Sequence, residues 1–307
     1  MTGAAFLVVP QWQGSGSSRA MRLIDGAEAI RGDLPASATT TVAIPASAGD
    51  SLGTGVHRFS ALATVRDAVL AELTVLDEPV ITIGGDCGAD LASIQHVVAG
   101  REPGSVALVW FDAHADLNDV ASSPSGAFHG MVARALLGEG PEQLASTGAA
   151  VLTPAQLVLA GTRSLDDGES EYIESNGVRL LAADTFADPA ELVAAVESTG
   201  ASAVYLHIDL DVLDPATIDG VGSPEPFGVQ PELLVAAVRA LRSRFEFAGA
   251  GITEFAPESV EAAEQDMPVI LRILGSLTAP LTAPEGSSPT GSARHLSSDP
   301  RATDDAL

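Results

Sequence analysis

The sequence predicts an α/β fold with a mostly parallel sheet of eight strands, because short apolar β-type runs alternate with longer helical segments. Several runs are almost continuous Val, Ile and Leu, the composition of strands buried on both faces. Strand–helix alternation of this kind builds right-handed crossover units, which keep neighbouring strands parallel and lay helices over the sheet.

The strands are expected at Ala5–Val9, Thr40–Ile44, Pro79–Ile83, Val106–Phe111, Leu157–Ala160, Val178–Leu181, Ala203–Ile208 and Gly249–Thr253. Helical periodicity marks Ala61–Leu76, Glu191–Ser198 and Glu232–Arg244. Gln11–Ser18 and Ala46–Gly55 carry no regular pattern and read as loops, and no internal repeat is visible. Residues 1–280 form the folded domain in this reading. From 281 on, Ser, Pro, Gly, Thr and Asp dominate without a period, so 281–307 is expected to be a flexible tail. In parallel sheets ligands bind beyond the carboxyl ends of the strands, and the chemistry is expected there.

The 307 residues include 46% hydrophobic ones, enough for a sizeable core. The formal charge of -26 comes from 41 acidic and 15 basic residues, and every basic residue is Arg. A field of that sign repels nucleic acid and anionic membrane surfaces, and it suits a carboxylate-built site that holds cations. Cys87 is the single cysteine, so an internal disulfide is excluded. The apolar stretch Ala4–Val9 lacks a basic flank, and no apolar run approaches the roughly 18 residues of a membrane helix. A cytoplasmic location is expected.

The strand Val106–Phe111 runs into Asp112-Ala113-His114-Ala115-Asp116, where three potential ligands alternate with Ala and share one face of an extended chain. A second apolar strand ends in Asp209-Leu210-Asp211 with the same period. Each cluster alone reads as a turn or a solvated strand end. Two of them, each ending a buried strand, would repel themselves strongly unless divalent cations compensate. One imidazole among carboxylates suits a harder ion such as Mn²⁺, and two ions a few ångströms apart can activate a shared water. A third strand end, Gly84-Gly85-Asp86-Cys87, brings Cys87 to the same edge, where ligation outweighs the usual role of a lone Cys as a small buried hydrophobe.

These motifs, with Phe128-His129-Gly130, His207-Ile208-Asp209-Leu210-Asp211 through Asp214-Pro215, Gly222-Ser223-Pro224 and Thr253-Glu254-Phe255-Ala256-Pro257, follow one another in the order of the ureohydrolases. From about Ala5 to Leu277 the chain resembles that arginase, agmatinase and formiminoglutamase family, arginase most of all. The resemblance implies a three-layer αβα sandwich, two Mn²⁺ ions and a homotrimer or hexamer. By position it makes Asp112 and Asp209 shared metal ligands, His114 and Asp211 ligands of one ion, and Asp116 and Cys87 ligands of the other. It makes Asp116 the proton donor to the leaving amine, His129 a proton shuttle and Glu254 the carboxylate that orients a guanidinium.

Two further segments bear on the substrate. Asn118, Ser123 and Ser125 resemble the arginase loop that binds an α-carboxylate, and Asp166 and Glu169 the segment that holds an α-amino group. Together they imply a small guanidino amino acid, with L-arginine cleaved to L-ornithine and urea. Three positions depart from the family pattern: Cys87 stands where His is usual, Ala127 where Asn often precedes the Phe-His-Gly triplet, and Gly251 where an acid often precedes the catalytic Glu. A thiolate lowers the Lewis acidity of a bound metal. That keeps open a modified arginine such as Nω-hydroxy-L-arginine, which would release hydroxyurea, or the substrate of an agmatinase or guanidino acid hydrolase. A non-catalytic metal or amino-acid sensor is the reading from a different class, and retention of Asp116, His129 and Glu254 argues against it.

Overall fold

The structure, a computed structural model, describes residues 4–76 and 79–280. The tail expected at 281–307 lies outside the described residues. Eight strands form one sheet: β1 (Ala5–Val9), β2 (Thr39–Thr41), β3 (Val80–Gly84), β4 (Val106–Phe111), β5 (Leu157–Ala160), β6 (Arg179–Leu181), β7 (Ala203–Asp209) and β8 (Glu246–Thr253). Their order is β2-β1-β3-β8-β7-β4-β5-β6, and every pairing is parallel.

The helices are α1 (Arg22–Gly32), α2 (Phe59–Leu73), α3 (Leu91–Ala99), α4 (Val132–Leu136), α5 (Asp167–Asn176), α6 (Pro189–Glu197), α7 (Pro231–Arg244) and α8 (Val260–Thr278). The period of two along the strands sorts their side chains onto two faces. Val109, Phe111, Leu206 and Ile208 pack with α1, α6, α7 and α8 on one face. Leu108, Trp110, Tyr205 and Ala203 pack with α2, α3, α4 and α5 on the other. The result is the three-layer sandwich. Among the described residues no helix is long and apolar enough to cross a membrane.

Element ends differ from the sequence reading for local reasons. β2 stops at Thr41 rather than Ile44, because its one partner, β1, ends at Val9 before Pro10; the Val42 amide donates the last bond to the Val8 carbonyl at 2.8 Å. β3 starts at Val80 because Pro79 has no N–H to give the ladder. β8 starts three residues earlier than Gly249. Val204 pairs with Phe247 but Tyr205 with Gly249, so Ala248 is an extra residue on β8. A side chain at Gly249 would meet the Tyr205 ring, and the small residues there hide the strand from a propensity reading. The helices α6 and α7 begin on Pro189 and Pro231, the favoured first position for proline.

Four adjacent central strands, β3, β8, β7 and β4, therefore bring their carboxyl ends to one place. Beyond them stand Gly85–Cys87, Glu254, Asp209 and Asp112. The Gly85 amide donates to Val9 O at 3.0 Å and its carbonyl accepts from the Glu254 amide at 2.7 Å, which ties β1, β3 and β8 together at that edge. A Cβ on Gly85 would collide with the Gln11 carbonyl. Gly85→Ala is accordingly predicted to destabilise the fold by about 1–3 kcal/mol. Gly275→Ala, inside α8 with open space around it, should stabilise by about 0.5–1 kcal/mol. Urea denaturation midpoints of the two variants check both signs.

Candidate metal centre

Backbone geometry fixes the acids before any ligand arrives. Trp110 on β4 and Asp112 just beyond its end continue one face, as His207 and Asp209 on β7 do, with Trp110 opposite His207 in register. The Trp110 indole N–H donates to Asp112 Oδ2 at 3.0 Å, and the His114 amide donates to Asp112 Oδ1 at 2.6 Å. The Asp211 amide donates to Asp209 Oδ1 at 2.8 Å, and the Ala113 amide to Asp211 Oδ1 at 3.0 Å. Asp209 and Asp211 are each oriented by an amide on Oδ1, which leaves Oδ2 free to converge, and Asp112 is held through both oxygens.

Two groups of donors result. His114 Nδ1 lies 3.0 Å from Asp211 Oδ2 and 3.4 Å from Asp112 Oδ1. Cys87 Sγ lies 3.2 Å from Asp209 Oδ2 and 3.7 Å from Glu254 Oε1. Donor atoms within each of the sets Asp112–His114–Asp211, Cys87–Asp209–Glu254 and Cys87–Asp112–His207 sit within 4.8 Å of one another. Five of the six residues read from the sequence as metal ligands are brought together in this way. The sixth, Asp116, is buried nearby, and its Oδ2 is one of two buried side-chain polar atoms without a hydrogen-bond partner among the described residues.

The electrostatics show what such a cluster does without counter-charge. Burial, then mutual repulsion with Asp211 and Asp112, pushes Asp209 well above the carboxylate range. Burial and Asp112 do the same to Asp116, and burial and Asp86 to Glu254. Asp112 is pushed up to about 7 by burial and Asp211. Burial, with Asp116 and Asp209 beside it, pushes the Cys87 thiol up. Burial opposes charge on His114, yet hydrogen bonds to Asp112 and Asp211 win and hold it raised; in return, hydrogen bonding from His114 overcomes burial and lowers Asp211. Buried carboxylates and an orphaned carboxylate oxygen make up most of the donor set, with the His114 and His207 imidazoles and the Cys87 thiol beside them, a mixture that fits divalent first-row cations.

A cleft of about 120 Å³ opens above these donors, lined by His114, Asp116, Asp209, Asp211, His129 and Glu254 on one side. Asn118, Ser123, Ser125, Asp166 and Glu169, the residues read as substrate contacts, line the rest. Asn118 Nδ2 donates to Asp166 Oδ2 at 2.8 Å. Glu169 accepts from the Leu117 and Asp166 amides, both at 3.0 Å, which makes it the clamp joining the two substrate segments as well as a wall of the cleft. Asp116 and Glu254 have φ of 53° and 63°. Each holds a left-handed backbone that costs about 1–3 kcal/mol for a residue with a side chain, and such strain concentrates where side-chain aim matters.

Some functional residues escaped the sequence reading. Asp86 is fully buried and accepts from Gln11 Nε2, the Gly14 amide and the Gly88 amide at 2.8, 2.9 and 2.9 Å. Burial pushes it up to about 6 against those bonds. Within Gln11–Ser18, read as an ordinary loop, the buried residues Gln11 and Gly14 are partners of that carboxylate, and the Gly14 carbonyl accepts from the His129 amide at 3.0 Å. Trp110 and His207 continue the period of two one step back from Asp112 and Asp209; that signal was present but reads equally as core.

The comparisons with known proteins agree with this geometry. The arginase family model matches residues 26–278. An arginase of Entamoeba histolytica is 34% identical over 173 residues, which cover 55% of this chain and 58% of that protein. An arginase of Staphylococcus aureus is 32% identical over 152 residues, covering 47% and 49%. These alignments span about half the length of the curated relatives. The crystal structure of the Entamoeba histolytica arginase in complex with L-ornithine superposes with a TM-score of 0.78 at 25% identity, over 89% of this chain and 97% of that one.

At pH 7 the chelator-treated protein is predicted to be the less stable form, with Mn²⁺ at a hundredfold excess over its Kd adding about 2.7 kcal/mol for each site filled. Asp209→Asn should raise the Tm of the metal-free chain, by removing a carboxyl whose ionised form burial and neighbouring acids disfavour, and shrink the rise that metal produces. Thermal scans with and without Mn²⁺ read both effects, and a metal-independent Tm in the unsubstituted chain would contradict the cation reading.

Proposed function

Because the chain belongs to the arginase family, we propose that it is a binuclear manganese amidinohydrolase that cleaves L-arginine to L-ornithine and urea. The observation that carries this reading is the shared cleft, whose floor is the acid cluster and whose wall is Asn118, Ser123, Ser125, Asp166 and Glu169. A guanidinium is drawn to the anionic floor. The polar wall offers Asn and Ser donors for an α-carboxylate, and Asp166 and Glu169 carboxylates for an α-amino group.

Asp112, Asp209, Asp211, His114, Asp116 and Cys87 would hold the two ions. Divalent cations, when bound, make water acidic enough to act as a nucleophile near neutral pH. The remaining steps belong to the chain. Glu254 receives the Cys87 amide at 3.3 Å on Oε1 and keeps Oε2 for the planar guanidinium. Asp116, with Oδ2 unpartnered, takes up the proton that the attacking water loses and hands it to the leaving amine. His129 lies at the mouth with Nδ1 3.7 Å from Glu254 Oε1. Burial and His114 push it down to about 4, so the resting ring is neutral at pH 7 and relays a proton toward solvent without retaining it. Family membership carries the further expectations of a trimer or hexamer and a cytoplasmic setting.

A second reading is favoured by one observation, the burial of Cys87 against Asp209 and Glu254. A thiolate donor reduces the Lewis acidity of the centre and suits a less basic guanidine such as Nω-hydroxy-L-arginine. Release of urea from L-arginine and of hydroxyurea from the hydroxylated substrate, measured side by side with Mn²⁺-loaded protein, separates the two. The arginase reading predicts the larger kcat/KM on L-arginine, and a hydroxyurea preference would replace it. Asp166→Asn should raise KM for the amino acid at least tenfold with a smaller effect on kcat, as loss of a contact made equally in ground and transition states requires. An unchanged KM would remove Asp166 from the substrate contacts.

A further inference from the structure

We propose that His207 is a metal ligand on the Cys87 side of the centre, with Asp90 as the carboxylate that orients it. The assignment rests on the cation reading of the site and is independent of which guanidino compound is hydrolysed.

A ring nitrogen of His207 lies within 4.8 Å of both Cys87 Sγ and an Asp112 carboxylate oxygen, a three-donor set that is fully buried. The other contacts of the ring decide which nitrogen is available. Nδ1 sits 3.0 Å from Asp90 Oδ2, and Asp90 Oδ1 also accepts from the Tyr205 hydroxyl at 2.5 Å. A carboxylate that already takes one hydrogen bond accepts the second from Nδ1–H, which leaves the lone pair on Nε2. Among the described residues the hydrogen-bonding neighbour of Nε2 is the Thr253 hydroxyl, at a long 3.4 Å. A buried imidazole nitrogen with so weak a partner is rare unless something else uses it. Carboxylate–imidazole–metal is the common way to fix a histidine ligand's tautomer and aim.

The surroundings are built for that aim. The ring lies flat on Trp110, with centroids 3.5 Å apart and planes within 10°. Trp110 itself is pinned by its bond to Asp112, so the imidazole is held between a fixed aromatic face and a fixed carboxylate. On the other side, Gly251 is the β8 partner of His207 in register. A Cβ there would collide with the Asp90 carboxylate. Asp90, the last residue of the turn that carries Cys87, thus occupies the space that any side chain at 251 would need. Two of the positions that depart from the family pattern, Cys87 and Gly251, thereby become one arrangement. The thiol is too short to fill the place of an imidazole at 87. His207 supplies an imidazole from the neighbouring strand, and the absence of a side chain at 251 admits the acid that orients it.

The test uses Co²⁺ as the probe, since its ligands report themselves spectroscopically. In water, the Co²⁺-loaded chain should show two exchangeable hyperfine-shifted imidazole N–H protons, from His114 and His207; one alone would overturn the assignment. This experiment needs no substitution. In a Co²⁺ titration the chain should bind two equivalents, with a thiolate-to-cobalt charge-transfer band marking the Cys87 side. His207→Gln should lose the equivalent that carries this band, and Asp90→Asn should weaken it by about 10–100-fold. Unchanged affinity and band in His207→Gln would overturn the proposal. No cobalt binding to the unsubstituted chain would overturn the cation reading itself, and the proposal with it.

Discussion

The structure depends on tolerating a knot of negative charge inside a parallel sheet. Asp112, Asp209, Asp211, Asp116, Glu254 and Asp86 are all buried at the carboxyl edge, and the imidazole of His114 is the cation placed directly among them. In a medium of low dielectric constant, such a set cannot remain fully ionised without added positive charge. The direction of nearly every perturbed carboxylate says so, since burial and neighbouring acids drive them toward the protonated state. Asp211 is the exception because His114 is bonded to it. The fold is rigid enough to hold this arrangement because four central strands are parallel, in register and buried on both sides.

Around that constraint the backbone spends its irregularities. Gly85 lets the Gln11 carbonyl approach, the loop at Gly14 closes over Asp86, and Asp116 and Glu254 take left-handed conformations. Arg163, whose guanidinium donates to the carbonyls of Gly161, Asp211, Val212, Leu213, Glu225 and Pro226, straps the loops after β5 and β7 beside the cleft without neutralising the acids. Its hydrogen bonds go to main-chain oxygens rather than to the carboxylates, so the carboxylate oxygens stay available.

How much of this the residues announce depends on whether local chemistry decides it. The strands were legible because burial on both faces requires runs of Val, Ile and Leu, and their ends were misplaced by more than one residue only where Pro10 or the Ala248 bulge intervened. The acids were legible because a period of two at a strand end is a one-face pattern. Trp110 and His207 obey the same period, yet a Trp and a His inside an apolar strand read as core until the register shows what they touch. Asp90 and Gly251 stand far apart in the chain, and their complementarity exists only in three dimensions. The buried part of the Gln11–Ser18 loop, Gln11–Ser15, was hidden for the opposite reason: Gln11 and Gln13 are satisfied by Asp86 and by backbone rather than by water.

The central claim, that this sheet edge is shaped to be completed by cations, can be tested without any substrate. Native mass spectrometry of protein exchanged into Mn²⁺ and then into metal-free volatile buffer counts the ions retained by each chain. Two tightly held divalent ions per chain is the predicted result. A chain that retains none, yet stays folded at neutral pH, would contradict the account.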